Sequence, residues 1–152
     1  DFSHQALAAQ LKDHTLARPY EAIVCGGVRE DRGTIDAPIG RDETSTIARM
    51  VRPDGQSAVS HYEVLSSQNG LSLVKLLPET GRTHQLRVHM ASIGHPLAGD
   101  WLYGTEDPAL IPRPALHSYA LTLTHPVTGE GLRLTAPLPP DMAQLAAKMD
   151  DI

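Results

Sequence analysis

The chain has a single cysteine, Cys25, so no disulfide can close within it, and such usage suits a reducing compartment. Beside Ile23 and Val24 the thiol reads as buried and structural rather than nucleophilic. Aromatic residues are scarce, 4% of the chain with one Trp and one Phe, so the core must rest on Leu, Ile, Val and Ala. No apolar run approaches the roughly 20 residues that span a bilayer. Neither internal repeats nor a shift in composition marks a second domain. The Gly-x-Ser-x-Gly elbow that would present a serine nucleophile is missing. Excess positive charge is missing too. The net charge is −5, unlike a nucleic-acid binder that works through its total charge. At 152 residues, 41% of them hydrophobic, the chain can bury a core and fold as one domain. A cytoplasmic location without a membrane partner is expected.

What is present reads as paired strands with a few helices. A helix is expected over 3–16, with Ser3 as its N-cap and Leu7 and Leu11 in its apolar stripe. A short strand follows over 20–24, closed by Gly26 and Gly27. Turn formers and charges fill 28–46, which reads as irregular, and 47–51 as a strand ending at the Pro53-Asp54-Gly55 turn. Strands over 58–65 and 71–77 flank a polar turn at 66–70 and form an antiparallel hairpin. A helix over 83–93 would face a core with Leu86, Met90 and Ile93 and stop at Gly94. A loop runs to Pro114, then strands over 116–124 and 131–136 pair across Pro126-Val127-Thr128-Gly129, and a helix over 141–149 closes the chain. The fold class is α+β with a mainly antiparallel sheet.

Against the acidic background stands one cationic island. Between Glu79 and Asp100 there is no acid, while Arg82, His84, Arg87, His89 and His95 all fall inside that span. A helix there would set Arg82 at its start and His84 on the face of Arg87, three residues on. The free N–H groups of its first turn would suit a phosphate or carboxylate. The plain alternative is a surface helix with solvated arginines. A zinc helix does not fit, because His84 and His89 are five apart and no glutamate lies between them. A metal-dependent hydrolase built on His84, His89, His95 and Asp100 stands only as a third reading, and no metal is expected. His4, His14 and His61 read as surface polar residues.

The island continues from Gly81-Arg82-Thr83-His84-Gln85-Leu86-Arg87-Val88-His89 to Gly99-Asp100-Trp101-Leu102-Tyr103-Gly104. That run resembles the arginine-bearing motif of the RluA-type pseudouridine synthases, which isomerise uridine in ribosomal and transfer RNA. Further segments resemble the family in the same order: Arg18-Pro19-Tyr20-Glu21-Ala22-Ile23-Val24 with Gly26 or Gly27, Asp36-Ala37-Pro38-Ile39-Gly40-Arg41, Asp54-Gly55-Gln56-Ser57-Ala58-Val59-Ser60-His61-Tyr62, and Leu116-His117 with His125-Pro126-Val127-Thr128-Gly129. Arg18 and Gln56 stand where the family has lysine, and Ser60 where it has threonine. The resemblance implies catalysis without metal or organic cofactor on an RNA partner, ribosomal or transfer. It implies that Arg87 pairs with a catalytic aspartate and that Tyr20 lines the pocket against the base or ribose. Arg82, His84 and Gln85 would support the pocket or contact RNA, and Leu116 would supply an apolar wall.

The family's His-Arg-Leu-Asp run, with Thr-Ser-Gly two residues on, does not occur in these 152 residues. Asp1, Asp31, Asp36, Asp42 and Asp54 all lack the required neighbours. Residues 1–152 therefore read as a partial catalytic domain whose aspartate motif lies upstream, inactive when alone. A non-catalytic RNA-binding module is the alternative.

Overall fold

The arrangement of apolar side chains along one central strand sets the layers. In β1 (Tyr20–Cys25), Ala22 and Val24 point to one face and Ile23 to the other, and all three are fully buried. A strand buried on both faces needs a layer on each side. The computed structural model describes residues 18–149, and the helix expected over 3–16 lies outside them. β1 sits inside a five-stranded antiparallel sheet of order β2-β5-β6-β1-β7. The other strands of that sheet are β2 (Arg32–Asp36), β5 (Val59–Gln68), β6 (Leu71–Pro78) and β7 (Leu116–Ser118), and β1 pairs with β6 and β7. Helix α1 (Gln85–Ser92) covers one face, its Leu86 and Met90 packing with Ala22, Val24, Val74 and Leu76. Helix α2 (Pro140–Met149) covers part of the other, where Met142, Leu145 and Met149 meet Ile23, Ala98, Ile111 and Ala115. Two ribbons complete the fold, β3 (Ile39–Arg41) with β4 (Arg49–Val51) and β8 (Ala120–Thr124) with β9 (Gly131–Thr135). The class is α+β.

Several boundaries differ from the sequence reading, each for a local reason. The stretch 28–46 is not wholly irregular, since it holds β2 and β3. β2 is an edge strand whose one buried residue is Ile35, and β3 has three residues, so neither shows an alternating pattern. The central hairpin turn shrinks to Asn69 and Gly70, with φ of 55° and 76°, closed by the pair Gln68 and Leu71. Left-handed backbone at both central residues is what a two-residue turn demands, and Asn-Gly is the pair that tolerates it. The strand expected over 116–124 divides at Tyr119, so that β7 joins β1 while β8 pairs with β9. Helix α1 starts at Gln85 rather than 83. Ile93, expected in the core, is 38% exposed.

Below α1 runs a chain of buried polar groups. The Thr80 hydroxyl donates to Gln85 Oε1 at 2.6 Å, and Gln85 Nε2 donates to the Val59 carbonyl at 2.9 Å and to Ser60 Oγ at 2.8 Å. Ser60 Oγ lies 2.8 Å from His89 Nδ1, and His89 Nε2 lies 2.9 Å from the Ala37 carbonyl. A carbonyl only accepts, so Nε2 carries the proton and Nδ1 accepts from Ser60. The chain joins α1 to β5 and to the segment before β3 with every polar atom satisfied. His89 is thus a structural residue.

Burial holds the His89 imidazole below its ordinary value, against the smaller opposing effect of the Ala37 carbonyl. With a folded value below the unfolded one, the stabilisation is full above about pH 6.5 and drains away as pH falls below it. His89→Ala should cost about 2–4 kcal/mol in urea titrations at pH 7.5, because it removes packing and strands Ser60 and Ala37. His89→Gln should also flatten the decline of stability between pH 7 and 5, with His84 contributing what remains of that decline. An unchanged pH profile in His89→Gln would refute the assignment.

Candidate active site

Three separated segments converge on one cavity of about 260 Å³. Strand β1 and its lead-in bring Arg18 and Tyr20, the β6–α1 connection brings Arg82 and His84, α1 brings Gln85 and Arg87, and β7 brings Leu116. All six residues singled out in the sequence, Tyr20, Arg82, His84, Gln85, Arg87 and Leu116, line it. The register of the sheet explains the convergence, because Tyr20 pairs with Ser118 on one side and with Leu76 on the other. Pro19 immediately precedes β1, where its missing N–H costs no ladder bond.

Arg87 is the best-fixed charge in the cavity. Its Nε and Nη2 both donate to Asp100, at 2.9 Å each, and its side chain is 15% exposed. Asp100 is fully buried and also accepts the backbone N–H groups of Leu102 and Tyr103 at 3.1 Å. Burial pushes the Asp100 carboxyl up, but the Arg87 fork and the two N–H donors outweigh it and hold the group below the usual carboxylate range. A bidentate pair of this kind fixes the guanidinium plane as well as its charge. The ring of Tyr103 lies 5.1 Å from the Arg87 guanidinium carbon and that of Trp101 6.0 Å, so the plane is flanked by aromatics. Among the described residues, Nη1 of Arg87 has no partner in the fold.

The turn that supplies Asp100 depends on Gly99, whose φ is +76°. A Cβ there would collide with the Arg113 carbonyl oxygen, so only glycine fits. Asp100 is the site residue that sequence reasoning did not place, having set it in a metal reading instead. The signal was its position, the first acid after a run of cations.

His84 departs from the expected helix. It takes a left-handed conformation, φ 56° and ψ 22°, one residue before α1, so it does not share a helical face with Arg87. It reaches the same cavity by another route. Tyr103 Oη accepts the Arg49 N–H at 2.9 Å and lies 2.7 Å from His84 Nδ1, within hydrogen-bond distance. Burial first, then the nearby Arg87 charge, hold the imidazole below its ordinary value, which suits a neutral ring. Gln85 spends both ends of its amide inside the fold, its Oε1 also accepting the Arg82 N–H at 3.1 Å. Its place is that of a support. Arg82, which lines the cavity, has Nε tied to the Ser57 carbonyl at 2.7 Å, and its terminal nitrogens have no partner among the described residues.

His84, His89, His95 and Asp100 do not converge on one point. His95 Nδ1 donates to the Cys25 carbonyl at 2.8 Å, while His84, His89 and Asp100 are engaged as described. Among the described residues, no three His, Cys, Asp or Glu side chains come together in a metal-holding group. Cys25 is only partly buried, and that burial, followed by Asp107, raises its thiol above the ordinary value.

Asp100→Asn should destabilise the fold by about 2–4 kcal/mol in urea titrations, since a largely buried guanidinium loses its counter-charge. The wild-type contribution, from a depressed carboxyl, is full above about pH 4 and lost as pH falls through the folded value. A cost below about 0.5 kcal/mol would mean that Arg87 does not depend on this partner.

Comparison with known proteins gives the chain a family. A family profile described as RNA pseudouridylate synthase matches residues 1–92. The uncharacterized RNA pseudouridine synthase YjbO of Bacillus subtilis (strain 168) is 49% identical over 95% of this chain and 50% of its own length. Ribosomal large subunit pseudouridine synthase D of Nitrosomonas europaea is 46% identical over 91% of this chain and 42% of its own. The solved structure of human RNA Pseudouridylate Synthase Domain Containing 1 aligns with a TM-score of 0.77 at 26% identity, covering 97% of this chain and 71% of that one. The chain spans about half the length of the curated relatives it matches. With that profile spanning residues 1–92 of 152 and the sheet matching a solved relative, the chain belongs to the RNA pseudouridylate synthase family.

Proposed function

We propose that these residues form part of the catalytic domain of an RNA pseudouridine synthase, which isomerises uridine to pseudouridine. The observation that carries this reading is the meeting of Tyr20, Arg87 and Leu116 in one cavity, with Arg87 held rigidly by Asp100. The reaction breaks the N1–C1′ bond of uridine and forms C5–C1′, with a proton lost at C5 and one gained at N1. Arg87, through the nitrogen that Asp100 leaves free, would orient a second carboxylate and keep it ionised. Tyr20 and Leu116 would wall the flipped base, while Arg82 and His84 at the mouth would meet phosphate. No metal or organic cofactor enters this scheme. The names of the ribosomal large subunit relatives favour large-subunit ribosomal RNA as the first substrate to test, with transfer RNA second. The single cysteine, its thiol raised rather than activated, supports a reducing cytoplasmic setting.

One observation favours the non-catalytic reading for this chain taken alone. Among the described residues no aspartate lines the cavity, and Asp100 is buried behind Arg87. The attacking carboxylate of the scheme must come from outside them.

Release of tritium from RNA carrying C5-labelled uridine separates these readings. The complete protein should release tritium, and Arg87→Lys, which keeps the charge but loses the fork, should slow release on the order of 100-fold. Residues 1–152 alone should release none. A complete protein that binds RNA without releasing tritium would make it a binding module.

A further inference from the structure

Directly opposed side chains of like charge destabilise a strand pair. The β3–β4 ribbon nevertheless sets Arg41 opposite Arg49. Acids to neutralise them are close in sequence, yet each is committed elsewhere. Asp42 accepts from the N–H and the hydroxyl of Thr44, at 3.0 and 2.6 Å. Asp54 takes both Nε and Nη2 of Arg52, at 2.7 and 3.0 Å, and Glu43 lies 3.4 Å from Arg52 Nη1. Among the described residues, neither the Arg41 nor the Arg49 guanidinium has an acidic partner.

The pair also borders a second cavity of about 270 Å³, where Gln56 and Thr83 join it and Asp54 is already occupied by Arg52. Thr83 is next in sequence to His84, so the two cavities adjoin through one peptide bond. The ribbon is fixed in that position. The Arg49 N–H donates to Tyr103, the residue that also contacts His84 and flanks Arg87. Burial of Ile39 and Ala58 against Val88 secures the ribbon to α1.

We propose that Arg41 and Arg49 clamp a backbone phosphate of the RNA strand flanking the nucleotide that enters the Arg87 cavity. The proposal rests on the RNA reading above and adds a second contact region beside the pocket. A phosphodiester offers two anionic oxygens and relieves the repulsion between two guanidinium groups, which folding alone leaves unrelieved.

The test is fluorescence anisotropy of a fluorescein-labelled single-stranded oligoribonucleotide with the complete protein over a salt series. The double variant Arg41→Gln/Arg49→Gln should bind more weakly, with a salt slope shallower by about 0.7 for each phosphate it no longer neutralises. Arg32→Gln, on edge strand β2 and outside both cavities, removes a surface cation that is paired with Glu63 and should leave the slope unchanged. The melting temperature of the double variant should not fall, since a repulsive pair has been removed. An unchanged slope, or an equal drop in Arg32→Gln, overturns the clamp while the RNA reading stands. Absence of salt-dependent RNA binding by the unsubstituted protein overturns both.

Discussion

The ion pair between Arg87 and Asp100 fixes helix α1 to the turn that follows it. A carboxylate with no solvent exposure is stable only when its lone pairs are filled, and four donors fill those of Asp100. Two of them come from α1 and two from the turn that carries Trp101 and Tyr103. Helix and turn are therefore fixed to each other, and Tyr103 passes the constraint on to His84 and to β4. The left-handed backbone at Gly99 and at His84 belongs to the same device. Each carries the chain around a corner that regular structure would not allow, and each corner serves the cavity, one by placing His84 in its wall and the other by setting Asp100 behind Arg87.

A second polar element does for the helix as a whole what the ion pair does for one side chain. Apolar contact alone would let α1 slide or rotate on the sheet at modest cost, since Leu86 and Met90 could find other neighbours. The Thr80–Gln85–Ser60–His89–Ala37 chain admits only one register, because each donor faces one acceptor. Arg87 lies between Gln85 and His89 in that helix, so its place over the cavity is set by both bonded neighbours. Burial of these two polar residues stabilises a position more than it adds to overall stability.

The same two polar residues explain what could and could not be seen in the sequence. The strands with strong alternation or continuous apolar runs, β1, β5 and β6, are legible, as are the central hairpin and the closing helix. β2 and β3 are not, because an edge strand with one buried residue carries no periodic signal. The start of α1 is hidden because backbone at His84 is shaped by Tyr103, nineteen residues on. A simple apolar period puts Ile93 in the core, when the buried face in fact includes Gln85 and His89. The lining of the cavity is legible through the resemblance to a family, residue by residue. Asp100 as the partner of Arg87 is not, because ion pairing across a turn leaves no spacing rule to read.

An acidic chain with a cationic site raises the question of why its acids do not cancel its cations. At physiological ionic strength a surface charge is screened beyond about 8 Å, so what matters is which acids lie within that distance of the site. Those close to the β3–β4 ribbon, Asp42, Glu43 and Asp54, are held by Thr44 and Arg52. Asp100, next to Arg87, is fully buried and pairs with that guanidinium. Apart from Arg87, the arginines facing the two cavities have no acidic ion-pair partner among the described residues, although the total is −5. On the RNA reading proposed above, Arg41, Arg49 and Arg82 beside Arg87 mark the side on which a polyanion would be met.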